Sequence, residues 1–206
     1  MRWVLSGCDP KLNDLEKGVL SRAPFFFEPM KRLIITGANG SGKSHLAARC
    51  CEARPDVSVT SFDAIKLMTD WEQRSRFEID ADLYQVVVQE SWIIEGGPSL
   101  LKIALPHADA VVWLDPPFLV RATNLLCRPW KHRGQTRPEL PDGNQDFVRQ
   151  QYRFAWRSLR KERDFRRLIV STLSDAPCPV IGVTSRVDAD GVVSLWSGQS
   201  GIAKTL

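Results

Sequence analysis

The sequence has little from which to build a metal centre or a disulfide framework. Its three histidines, His45, His107 and His132, show no metal-ligand spacing. Its five cysteines, Cys8, Cys50, Cys51, Cys127 and Cys178, are odd in number and form no C-x-x-C. That argues for reduced thiols and a cytoplasmic location. No apolar run approaches the length of a membrane span, so no membrane partner is expected. A signal peptide's charged-then-apolar order is missing: Lys11 to Lys17 is polar, and Phe25-Phe26-Phe27 is too short. Internal repeats and low-complexity tracts are absent. The guanine-reading Asn-Lys-x-Asp pattern is absent too, and Thr184 to Asp188 does not supply it, which argues against a GTPase. Nor is there a large excess of charge. The net value is +4, yet residues 121–167 carry thirteen Lys/Arg against five Asp/Glu, so the remainder is negative. A local basic zone in a nearly neutral chain suggests a polyanionic ligand at one place.

What is present suits one α/β domain with room for a lid: 206 residues, 43% hydrophobic and 25% charged. The dominant motif is Gly37-Ala38-Asn39-Gly40-Ser41-Gly42-Lys43-Ser44, which fits G-x-x-x-x-G-K-[ST]. Arg32 to Thr36 enters it as a short apolar strand, and His45 to Cys50 leaves it with helical character. Glycines let the backbone wrap closely around an anion. Consecutive N–H groups and a helix N-terminus then face the phosphates. Lys43 adds a charge at the β/γ end, and the Ser44 hydroxyl can ligate Mg²⁺. His45 completes the expected nucleotide-binding set.

Further strands are expected over residues 57–62, 92–94, 110–114 and 179–184. Helices are expected over most of 64–91, over 119–127, and as one long basic helix over 146–173. Continuous β-branched strands alternating with helices predict a parallel sheet covered on both faces. Residues 1–30 read as an N-terminal extension, 31–190 as the domain with a lid at about 128–143, and 191–206 as a tail. Ligands in such sheets bind at the carboxyl ends of the strands. That brings Asp63, Glu95, Asp115 and Ser185 near the loop.

Asp63 can orient or deprotonate an acceptor hydroxyl, or cap the helix starting at Ala64. Glu95 and Asp115 each close an apolar strand, so each is a candidate for the metal-proximal carboxylate. The choice turns on which strand lies beside the loop strand, and periodicity leaves it open. Arg128, Lys131, Arg133 and Arg137 fall in an Arg/Pro/Gly stretch that suits a lid closing over a transferring phosphoryl group. Arg149, Arg153, Arg157 and Arg160 form one stripe of the basic helix, beside an apolar stripe of Val148, Tyr152, Ala155 and Leu159. The arginine stripe reads as a solvated face in preference to a nucleic-acid surface. Arg74 and Arg76 can meet an acceptor anion or remain surface residues.

Gly37–Ser44, Phe62-Asp63, Trp92-Ile93-Ile94-Glu95-Gly96, Trp113-Leu114-Asp115-Pro116, Arg133-Gly134-Gln135-Thr136-Arg137-Pro138 and Ser185-Arg186 occur in this order. Together they resemble the bacterial P-loop family of DNA topology modulation proteins, which is adenylate-kinase-like. The resemblance implies a P-loop NTPase fold of the nucleoside monophosphate kinase type. That fold is a three-layer α/β/α domain with five parallel strands, the third beside the loop strand, and an Arg-rich lid. The resemblance also implies Glu95 as the metal-proximal carboxylate, Arg128, Arg133 and Arg137 in the lid, and Ser185-Arg186 near the base. The leading reading of the whole is a kinase that uses ATP and Mg²⁺ on a nucleotide, nucleoside or hydroxylated small molecule. The rival is a nucleotide-regulated nucleic-acid-binding protein, in which the loop is a switch and the arginine stripe meets phosphate. The family usually has Asp where this chain has Glu95. Asn124 stands where many related kinases carry an adenine-stacking arginine. Ser99 stands where adenylate kinases bind AMP with arginine, which leaves the acceptor open.

Overall fold

A computed structural model describes residues 30–131 and 147–198. Five strands form one sheet: β1 (Arg32–Gly37), β2 (Val59–Ser61), β3 (Trp92–Gly96), β4 (Ala110–Leu114) and β5 (Val180–Val183). Every pair is parallel, and the order is β2-β3-β1-β4-β5. The helices are α1 (Lys43–Ala53), α2 (Phe62–Lys66), α3 (Arg76–Val87), α4 (Leu101–Ala104), α5 (Phe118–Lys131), α6 (Val148–Arg160), α7 (Glu162–Leu173) and α8 (Arg186–Trp196). No described helix is long and apolar enough to cross a membrane.

The period-two alternation of strand side chains divides the core into two layers. Ile34, Ile94, Trp92, Val111 and Trp113 pack with α2, α3, α4 and α7 through Phe62, Leu83, Leu101 and Ile169. Leu33, Ile35, Ile93, Val112 and Leu114 pack on the other face with α1 and α8, through Leu46, Cys50, Val192 and Trp196. The three central strands, β1, β3 and β4, lack polar alternation because both of their faces are covered, as expected of a parallel sheet.

Three elements depart from the sequence expectation. Residues 64–91 are mostly helical as expected, but not as one helix: α2 and α3 are separated by a turn at Thr69–Trp71 and a bridge between Leu67 and Gln73. The second strand is shorter than residues 57–62, and Phe62 and Asp63 already belong to α2. Asp63 is therefore not the helix cap; Ser61 occupies that position. The single basic helix over 146–173 is two helices, broken at Lys161. The first half packs on α5, whereas Ile169 and Leu173 of the second half reach the sheet. A straight rod could not serve both surfaces. The expected stripes are nonetheless found on α6. Arg149, Arg153, Arg157 and Arg160 are exposed, while Ala155 is buried and Val148, Tyr152 and Leu159 are half-buried.

α8 runs through residue 190, and its Val192 and Trp196 are core residues. The Trp196 indole N–H donates to the Cys50 carbonyl at 3.1 Å, and the Arg54 guanidinium lies 4.6 Å from the ring centroid. Alternation of Val192, Val193, Leu195 and Trp196 suits a helix with one buried stripe as readily as a short strand, and packing on α1 decides it. Trp196→Ala is expected to cost about 3–5 kcal/mol. Urea denaturation measures this, and a loss below about 1 kcal/mol would return α8 to the status of a dispensable tail.

Candidate active site

β1 is flanked by β3 on one side and β4 on the other, so strand neighbourhood alone does not separate Glu95 from Asp115. Side-chain contacts do. The Ser44 hydroxyl donates to Glu95 Oε1 at 3.3 Å, and the Ser61 hydroxyl donates to the same oxygen at 2.9 Å. Asp115 instead accepts from Arg166 Nε at 2.8 Å, and that guanidinium lies 5.9 Å from the Trp113 ring centroid. Glu95 thus faces the glycine loop, and Asp115 ties α7 to the end of β4.

The loop itself is shaped by close approach. Gly40 has φ +79°, and a β-carbon there would lie 2.7 Å from Leu125 Cγ and 2.9 Å from the Arg121 carbonyl oxygen. Gly42, at the N-cap of α1, has φ +97° but only Leu114 Cδ2 near, at 3.9 Å. Two residues of α5 brace the turn. Asn124 Nδ2 donates to the Gly40 carbonyl at 2.9 Å, and Arg121 Nε donates to the Asn39 carbonyl at 3.3 Å. Lys43 Nζ donates to the Ala38 carbonyl at 3.1 Å.

Charge is concentrated here under partial burial. Burial is the main influence on Glu95 and pushes its carboxyl above the usual range, opposed by the Lys43 ammonium and the Ser61 hydroxyl. Lys43 is held below the usual amine range, first by burial, with Glu95 and Asp63 opposing. Glu95 and Lys43 are thus mutually dependent, each charge favouring the opposite charge beside it.

A cleft of about 960 Å³ collects these groups. Its wall includes Asn39, Gly40, Ser41, Gly42, Lys43, Ser44 and His45 of the loop, with Asp63, Glu95, Arg128, Ser185 and Arg186. Gly37 and Ala38 do not line it. Arg133, Arg137 and most of the expected lid lie outside the described residues. Arg74 and Arg76 also stay off the wall: Arg74 pairs with Asp82, and Arg76 Nε lies 2.9 Å from Asp80. At one rim, Arg49 and Asp190 form an ion pair of 2.7 Å between α1 and α8. At the start of α8, Asp188 Oδ2 accepts from the Thr184 and Ser185 amides, each at 2.9 Å.

The oxygen donors beside the loop are Ser44 and Glu95, and no group of three His, Cys, Asp or Glu among the described residues can cage a metal ion. Such a donor set fits a hard, partly hydrated cation that takes its other ligands from phosphate and water. Ser61 and Arg121 were not singled out by sequence reasoning. Ser61 carried a weak signal as a polar residue closing a strand. Arg121 carried none, because an arginine on an amphipathic helix reads as solvated.

No known family model matches the chain, and no curated protein matches it. Among solved structures, it is similar to a shikimate kinase from Bacteroides thetaiotaomicron, with 18% identity over 82% of this chain and 98% of that one, at a TM-score of 0.46. It is also similar to a sugar kinase from a Janibacter species, with 12% identity, 84% and 96% coverage and a TM-score of 0.44. A third is a gluconokinase from Sinorhizobium meliloti, with 16% identity, 83% and 98% coverage and a TM-score of 0.45.

The two glycines make a paired test. Gly40→Ala meets both a clash and backbone strain and is expected to cost about 2–4 kcal/mol. Gly42→Ala meets strain alone, about 1–2 kcal/mol. Equal losses in denaturant titrations would show that Leu125 and Arg121 do not set the loop's shape.

Asp188 supplies a pH test. The Thr184 amide, ahead of its other hydrogen bonds, holds its carboxyl below the usual range. A depressed folded value stabilises above the unfolded pKa, and that contribution is lost as pH falls through the folded value. At this exposure it is worth under about 1 kcal/mol. Wild type is expected to lose stability more steeply than Asp188→Asn on acidification through the carboxylate range. Parallel pH profiles would show that the carboxylate does not hold α8 in place.

Proposed function

We propose that this protein is a Mg²⁺- and ATP-dependent phosphotransferase acting on a small acceptor: a nucleotide, a nucleoside or a hydroxylated metabolite. The observation that carries this is the joining of Lys43, Ser44 and the buried Glu95 at a glycine turn that opens a helix at the carboxyl edge of a parallel sheet. Mg·ATP, when bound, supplies the electrophilic γ-phosphoryl group.

The chain's own groups have separate tasks. The amides of residues 38–45 and the α1 N-terminus hold phosphate oxygens, with Gly37 permitting the turn. The Lys43 ammonium neutralises charge at the β/γ end. Ser44 offers a metal-ligating hydroxyl, and Glu95 accepts from that hydroxyl or from metal-bound water. Asp63, exposed in the same cleft, orients an acceptor hydroxyl and takes its proton. Arg128, which lines the cleft, neutralises charge on the transferring phosphoryl group, and Arg133 and Arg137 are given the same task. Ser185 and Arg186 border the end of the cleft that receives the base. Among the described residues, no observation favours a nucleic-acid surface over a solvated one for the α6 arginines.

ATP turnover with Mg²⁺, scanned over nucleosides, nucleoside monophosphates and small hydroxylated metabolites, tests the proposal. Turnover is expected to need one acceptor class and to fall at least about a hundredfold in Lys43→Ala. Nucleotide binding without acceptor-stimulated turnover across the scan would overturn it.

A further inference from the structure

A second cleft, of about 320 Å³, opens beside Ala38 and Asn39 and shares only Asn39 with the first. Its far wall comes from α6 and the start of α7. Arg121 lies between the two clefts' common loop and that wall, with 1% of its surface exposed. Two parts of its guanidinium are accounted for. Nε donates to the Asn39 carbonyl at 3.3 Å, and Nη1 donates to Glu162 Oε1 at 2.6 Å. The third, Nη2, is buried and has no hydrogen-bond partner among the described residues. A buried donor left without a partner costs about 1–3 kcal/mol, so its position needs an explanation.

Arg157 and Lys161 line the same cleft. With Arg121 they make three cations against one neighbouring carboxylate, that of Glu162, an excess of two positive charges. Phe154 and Phe165 also form part of its wall. Apolar walls strengthen charge-assisted hydrogen bonds by lowering the local dielectric. None of Lys43, Glu95 or Asp63 lines this cleft.

We infer that this cleft is a second anion site, taking one compact oxyanion of the phosphate class between Arg157 and Lys161, with the buried Arg121 guanidinium in the wall behind them. The ligand is a free anion or the phosphate group of a metabolite. Because the same guanidinium holds the Asn39 carbonyl, occupancy of this site bears on the shape of the glycine loop. The inference does not depend on a phosphotransferase reaction.

Calorimetric titration tests it. The first cleft is saturated with Mg²⁺ and a non-hydrolysable ATP analogue, and inorganic phosphate or phenyl phosphate is then added. One further site is expected, weakened at least about tenfold in the Arg157→Ala/Lys161→Ala double variant. Both of those residues are exposed, so the fold should tolerate their loss. Arg121→Met is expected to abolish binding if it folds, and the double variant decides if it does not. Tighter binding of phenyl phosphate would assign the ligand to an esterified phosphate, and equal binding to the free ion. Absence of a second site, or equal affinity in wild type and double variant, overturns the inference. If the ATP analogue fails to bind, the phosphotransferase proposal is in difficulty, whereas the same phosphate titration on Lys43→Ala protein still decides the second site.

Discussion

Gly37 passes β4 so closely that a β-carbon on it would sit 2.5 Å from the Leu114 carbonyl oxygen. Only glycine tolerates that approach. The consequence spreads through the site. Because β1 stays in register with β4 to its last residue, Gly37 opposite Leu114, the chain leaves the sheet at one defined point. It then turns through Ala38 to Gly42 and starts α1 directly over the carboxyl edge. β3 runs parallel on the other side with Ile35 opposite Glu95. The position of the Glu95 carboxylate relative to Ser44 is thus a product of sheet register, and no flexible loop intervenes on its side.

Register alone would leave a carboxylate in a poor solvent. Glu95 is only 5% exposed, and burial opposes its ionised form. Two hydroxyls and one ammonium offset this. Ser61 and Ser44 donate to one oxygen, and Lys43 supplies the opposing charge. Lys43 in turn is disfavoured as a cation by its own burial and supported by Glu95 and Asp63. Such mutual dependence means that single substitutions here leave an unpaired buried charge, which costs more than the pair itself contributes. It also accounts for a site in which charges sit close together without collapsing into one ion pair: no contact of 4.0 Å or less joins Lys43 to Glu95 among the described ion pairs.

Much of this was legible in the residues themselves. The strands announced themselves as continuous apolar runs, since both sheet faces are covered, and β4 matches its expected residues 110–114 fully. The glycine motif marked the ligand edge through local chemistry alone. What escaped was set by tertiary context. Ser61 takes the cap position expected of Asp63 because α2 begins two residues earlier than its pattern suggests. Lys161 interrupts a sequence with good helical periodicity, because α6 and α7 must meet different partners. Trp196 looked like part of a tail until α1 supplied the Cys50 carbonyl for its indole. Glu95 and Asp115 were indistinguishable in pattern, and only Arg166 beside one and Ser44 beside the other separates them.

Arg121 is the hardest of these residues to justify by stability. Removing a guanidinium and a carboxylate from water is costly, and well-packed apolar residues of similar volume often do better than such a pair. Leu125, one turn away on α5, shows that the surroundings accept an aliphatic side chain. What an aliphatic residue could not do is hold the Asn39 carbonyl and Glu162 at once. That pairing fixes the turn of the glycine loop to the first residue of α7, across the break at Lys161. The break therefore does more than let two helix halves find separate surfaces. It places Glu162 where a buried arginine can reach it, and so ties the loop's geometry to the arginine-rich side of the molecule.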